Sequence, residues 1–83
     1  MRLTEQRKEW IVAAASRHVH DAAVTRLPGQ EGRVIVVGHD IDDPTRWAGL
    51  VAHKVEDDGT VWWCDAIYLQ RRRSDVVEHL RTA

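Results

Sequence analysis

Phenylalanine is absent from this chain of 83 residues, and there is only one cysteine, one tyrosine, one methionine and two prolines. With Cys64 alone, neither an internal disulfide nor a zinc knuckle built on several cysteines can form. No run approaches the roughly 18 apolar residues that a membrane-spanning helix needs. The opening MRLTEQRKEW also lacks the apolar core of a signal peptide. Together with the free thiol, these absences set the expectation of a cytosolic protein that does not enter a membrane. Net charge is −1, so no global basic field draws in nucleic acid. Glycines are few, and Gly38 and Gly49 stand alone within apolar runs. They read as strand glycines where another element packs closely, not as a phosphate loop.

The chain is short enough to be one α+β domain spanning residues 1–83, and a chain of this size buries only about 60% of its unfolded surface. Its basic residues are nearly all arginine, and alanine, valine and tryptophan are common. That composition fits a GC-rich genome, and a bacterial or bacteriophage source is the expectation. Charge is unevenly spread. Residues 33–69 carry three basic against seven acidic side chains, and residues 70–83 carry four basic against two acidic.

The stretch from Arg46 to Leu69 reads as one long β-hairpin. Two runs rich in β-branched and aromatic residues flank Asp58-Gly59, which suits a two-residue type I′ turn. Pairing Asp57 with Thr60 then sets Val55 opposite Trp62, His53 opposite Cys64 and Val51 opposite Ala66. Upstream, Arg33 to Ile41 reads as a preceding strand, turning through Asp42-Asp43-Pro44-Thr45. Pairing Ile41 with Arg46 sets Gly38 opposite Gly49 and Val36 opposite Val51.

Before the strands, Thr4 is an N-cap and Glu5 sits at the positive end of a helix dipole. The helix is expected to run to about Thr25, because Ile11, Val12, Ala15, Val19, Ala22 and Ala23 form an apolar stripe at helical spacing. Leu27-Pro28-Gly29 then ends it. After Leu69, Ser74 caps a short helix to about Arg81 with Val76, Val77 and Leu80 on its apolar side. The expected order is αβββα: a three-stranded antiparallel sheet with both helices packed on one face.

Counting charges assigns the faces. The face holding Val34, Val36, Gly38, Trp47, Gly49, Val51, His53, Trp62, Cys64, Ala66 and Tyr68 has Asp40 as its one charge, so it is the expected core. The other is left with an apolar patch of the kind that marks an association surface. The function expected is a small non-enzymatic protein-binding module, a homodimeric regulator or inhibitor, using Trp63, Leu50, Ile67, Val37 and Lys54. Should the helices cover that face instead, Trp47, Trp62 and Tyr68 become the candidates. The alternative is a nucleic-acid-binding module using Arg71, Arg72 and Arg73 with Arg33 and Lys54, since arginines beside a helix N-terminus suit phosphate. A small ribonuclease using His39 or His53 comes third.

No cofactor or metal is called for. The segment His39-Asp40-Ile41-Asp42-Asp43 lacks the length and internal glycine of a calcium loop. Arg71 to Arg73 should lie beside its carboxylates. His53 and Cys64 suggest a base and a nucleophile, yet no third group orients them, and a packing role is expected for both. His18 and His20, two apart on a helix, point different ways.

Overall fold

In the computed structural model the chain is an α+β structure of two helices and one antiparallel sheet. Residues 2–27 and 30–82 are described, without the side chains of residues 27, 30–32, 67, 68 and 82. Pro28-Gly29, expected to stop a helix, lies outside the described residues.

Helix α1 spans Glu5–Ala15. Thr4 caps it, accepting the Arg7 N–H at 3.2 Å, and Glu5 in the first turn pairs with Lys8 at 3.1 Å. The helix ends ten residues earlier than the apolar stripe predicts. Ser16 turns its hydroxyl back to the Ala13 carbonyl, and the chain leaves through His18 into strand β1, Val19–Leu27. The reason is instructive. Ile11, Ala15, Val19 and Ala22 do share one core, but the first two reach it from a helix and the last two from a strand beneath that helix. A stripe that serves two elements looks continuous when read as one.

Strands β2 (Gln30–Asp40), β3 (Trp47–Val55) and β4 (Val61–Gln70) follow, and helix α2 covers Arg73–Thr82. The sheet is a four-stranded meander in the order β1-β2-β3-β4, so the element order is αββββα and not αβββα. The strand that sequence reading placed in the helix supplies the difference.

Both hairpin registers differ by one residue from expectation. Val36 pairs with Leu50 and Val34 with Ala52, while Val55 pairs with Val61. At the β3–β4 turn only Gly59 takes a positive φ, +92°. Its N–H donates to the Glu56 carbonyl at 3.0 Å, and Glu56 donates to Thr60 at 2.8 Å. This is a three-residue loop, Asp57-Asp58-Gly59, with glycine in the left-handed position that such loops need. A one-residue slip turns every side chain of a strand to the opposite face. Hence Val34 and Val36 share a face with Ala48, Leu50 and Ala52, and Ile35 and Val37 with Val51.

The helices take one face each, not a common face. Ile11 and Ala15 of α1 close over Val19, Val34, Val36, Ala48, Leu50 and Ala52. Val76 and Leu80 of α2 close over Ile35, Val37 and Val51. Full burial of a side chain of this size contributes roughly 1.5–3 kcal/mol, and the two layers divide that contribution between them. Gly49 seats α2: a Cβ there would stand 2.6 Å from a Val76 methyl and 2.9 Å from a Leu80 methyl. Gly38 likewise lets β1 cross closely, since a Cβ would lie 2.5 Å from the His20 carbonyl oxygen. Both glycines thus mark close packing, as their isolation in apolar runs implies.

Candidate interaction surface at the β4 edge

Covering both faces leaves the edges of the sheet. Among the described residues β4 pairs only with β3, so its other side carries backbone groups with no strand partner. Trp62 is 51% exposed and Leu69 50% exposed. Cys64, Asp65 and Ala66 between them are exposed as well. The strand is irregular: β4 holds an extra residue against β3 at Cys64 and another before Gln70, and Leu69 takes φ +67°. Bulges of this kind re-aim side chains. The Trp62 indole N–H donates to Glu56 Oε1 at 3.1 Å, and Lys54 pairs with the same oxygen at 3.1 Å. Asp65 accepts the Ala66 N–H at 2.8 Å.

The patch expected from the sequence is not assembled. Leu50, 3% exposed, lies under α1, and Val37, 1% exposed, lies under α2, on opposite faces of the sheet. Trp63 is half-buried against the α1 core. Lys54 is exposed beside Trp62, and the Ile67 side chain lies outside the described residues, as does that of Tyr68. Of the second set of aromatic candidates, Trp62 is the exposed one, and Trp47 packs against the α2 core with its ring 4.0 Å from that of His39. Leu69 falls on the face that sequence reading leaves exposed, but it is not among the residues named for the surface.

The arginines do not form one patch. Arg71 lines a shallow cleft of about 310 Å³ with Asp43, Thr45 and Arg46, so the run does reach the acidic turn. Arg72 instead grips Asp75 through Nε and Nη2 at 3.1 and 3.2 Å, and Arg73 opens α2. Arg33 is at the far end of β2, roughly 23 Å along the strand from Asp40 at a rise of about 3.3 Å per residue.

The acidic turn organises itself. Buried Asp40 accepts the Asp43 N–H at 3.0 Å, and Asp43 accepts the Thr45 hydroxyl at 2.6 Å and its N–H at 3.2 Å. Those bonds, with Arg46 3.3 Å away, hold the Asp43 carboxyl below its ordinary pKa of 3.8. Hydrogen bonds from Thr60 do the same for Asp58 in the other turn. A neighbouring cleft of about 450 Å³ is lined by Arg17, His18, Asp40, Ile41, Asp42, Asp43 and Leu69. Among the described residues no three or more His, Cys, Asp and Glu side chains are grouped to hold a metal ion.

His53 and Cys64 are both exposed, not on a core face, and they are not opposed: Val51 pairs with Asp65, Ala52 with Trp63 and Lys54 with Trp62. The His39 ring is fixed by Trp47 and by a hydrogen bond that the Pro44 carbonyl oxygen accepts from Nδ1 at 3.1 Å. Among the described residues no helix is long and apolar enough to cross a membrane. No protein-family model, curated protein or solved structure matches this chain.

Proposed function

We propose that the protein is a small non-enzymatic protein-binding module that works by strand addition at the open edge of β4, with a second copy of itself as the simplest partner. A regulator or inhibitor fits such a module. One observation carries the reading: a ten-residue edge strand, Val61–Gln70, whose described exposed side chains are Trp62, Cys64, Ala66 and Leu69, with Asp65 the one charge. An open edge is a template for another strand, and added main-chain bonds give affinity while alternate side chains give selectivity. Burying half-exposed Trp62 and Leu69 supplies the apolar part of the driving force.

The test is solution mass by sedimentation equilibrium, from low micromolar to near-millimolar chain at physiological salt, with and without RNA. Wild type should associate without RNA. Trp62→Ser should shift it toward monomer while the circular dichroism spectrum stays unchanged, because the side chain supports no buried contact of the core. A wild type that remains monomeric throughout overturns the reading. Tight RNA binding lost on changing Arg71 and Arg73 to Ala puts the arginine run in its place.

A further inference from the structure

Strand β4 is electrically polar along its length. At its Val61 end the turn carries Glu56, Asp57 and Asp58, and beyond Gln70 come Arg71, Arg72 and Arg73. Lys54 engages Glu56, and Asp75 engages Arg72. Asp57 and Asp58 at one end and Arg71 and Arg73 at the other form no ion pair among the described residues, though Arg2 and Arg7 share a cleft with Asp57 and Asp43 shares one with Arg71. Thr60 hydrogen bonds keep Asp58 ionised to lower pH than usual. Ten residues at a rise of about 3.3 Å separate the two ends by several Debye lengths at physiological salt, so they do not neutralise each other within one chain.

Orientation then decides what a second strand meets. A copy laid parallel to β4 sets acidic turn against acidic turn and arginine against arginine. An antiparallel copy sets each turn against the arginine run of the other. A two-fold antiparallel pair also requires one residue to oppose itself at the axis. Asp65 there would bring two carboxylates face to face, which destabilises a cross-strand pair, whereas Ala66 is small, exposed and uncharged. With Ala66 at the axis, Gly59 falls opposite Arg73 and Val61 opposite Arg71. Trp62 falls opposite Gln70, one residue from Leu69. The extra residues at Cys64 and before Gln70 shift single pairs by one position and leave unchanged which ends meet.

Resting on the strand-addition reading, we propose that the partner on β4 is a second copy of this chain, paired antiparallel about a two-fold axis at Ala66, with Asp57 and Asp58 of each copy against Arg71 and Arg73 of the other. The product is an eight-stranded sheet that ends on β1 at both sides. Such an isologous pair closes on itself and does not propagate.

The experiment uses three full-length chains: wild type, Arg71→Glu with Arg73→Glu, and Asp57→Lys. Dimer dissociation constants are measured by sedimentation equilibrium at low and high salt. Wild type should weaken as salt rises. The double arginine variant, whose two ends are both acidic, should dimerise about tenfold less well, since two symmetric sets of exposed pairs are lost. Mixed with Asp57→Lys, it should regain affinity as a heterodimer. A wild-type dimer that Trp62→Ser disrupts but that ignores salt, the arginine substitutions and mixing overturns the antiparallel charge-paired geometry and leaves strand addition standing. A dimer that strengthens with salt indicates the parallel arrangement. A monomeric wild type removes the reading and the inference together.

Discussion

The two outer strands of this sheet solve the same problem in opposite ways. Both β1 and β4 carry one side of backbone with no strand neighbour among the described residues. On β1 that side is guarded: His20, Asp21, Thr25 and Arg26 are exposed along it, and a bulge between His20 and Ala23 puts Asp21 at φ +53°. Charges and bulges are the usual means by which an edge refuses another strand. On β4 bulges are present too, but the side chains are Trp62, Cys64, Ala66 and Leu69, with Asp65 alone among them charged. A bulge interrupts the backbone template locally, whereas side-chain chemistry decides whether a neighbour is welcome. The contrast teaches that openness here belongs to one edge, and the helices reinforce it by occupying both faces.

The most direct way to break the comparison is to make one substitution at both edges. Trp62→Lys gives β4 the kind of residue that blunts an edge and removes a half-exposed indole at the same time. It should weaken self-association by about 2 kcal/mol or more, roughly thirtyfold, as loss of a central tryptophan does. Thr25→Lys on β1 should leave the dissociation constant unchanged. Equal effects at the two edges, read by sedimentation equilibrium, would erase the distinction.

A second prediction concerns the turn that aims β4. Gly59 holds φ +92°, a conformation that a Cβ makes costly, and its Cα side lies against the Trp10 ring at 3.4 Å from the position of that Cβ. Gly59→Ala should cost about 1–2 kcal/mol in urea unfolding. Because this turn sets the register of β4, association should weaken as well. A stability loss with unchanged association would separate the turn from the edge.

How much of this could be read from the residues depends on how local the determining chemistry is. The Thr4 cap and the acidic turn closed by Asp43 and Thr45 depend on neighbours within a few positions, and each was legible. Helix α2 was legible as an element, but it begins at Arg73, so Ser74 lies within its first turn and does not cap it. Gly38 and Gly49 were legible as places of close packing, though what packs there, His20 and the pair Val76 and Leu80, is distant in sequence. The β1 strand was not, because Ala15, Val19 and Ala22 serve one core from two elements and imitate a helix stripe. Nor was the register. Asp58-Gly59 suits a two-residue turn as well as a three-residue loop, and only the φ of Asp58 separates them. The β3–β4 shift turned Trp62 outward in place of Trp63, and the separate shift between β2 and β3 set Val37 and Leu50 on opposite faces, each under its own helix. The candidate surface was therefore legible as a strand rich in tryptophan and illegible as to which of its sides is free.

Asp65 sharpens the comparison from the side of β4. It is the one guard on that edge, and a two-fold pair at Ala66 brings both copies of it close to the axis. Asp65→Ser removes the single pair of like charges that flanks the axis, a cross-strand cost of a few tenths to about 1 kcal/mol. Self-association should tighten by several-fold, and its residual salt dependence should come from the two charged ends alone. A weaker dimer would show that Asp65 supports β4 through its bond to the Ala66 N–H more than it opposes a partner.

The smallest effect is expected at Asp21, where β1 carries its bulge. An aspartate tolerates a φ of +53° better than most residues but still less well than glycine, which has no Cβ to crowd the following carbonyl. Asp21→Gly should therefore stabilise the fold by about 0.5 kcal/mol, the relief of local strain exceeding the added freedom of the unfolded chain. The bulge remains, since the backbone that glycine favours is the one already present. If the bulge with His20, Thr25 and Arg26 guards β1, the variant stays no more associative than wild type, and urea unfolding reports only the gain in stability. If the aspartate charge is the guard, the same variant acquires a second mode of association, visible as species larger than a dimer at near-millimolar concentration. Chains would then join β1 to β1 as well as β4 to β4, and the sheet that the guarded edge had terminated would extend.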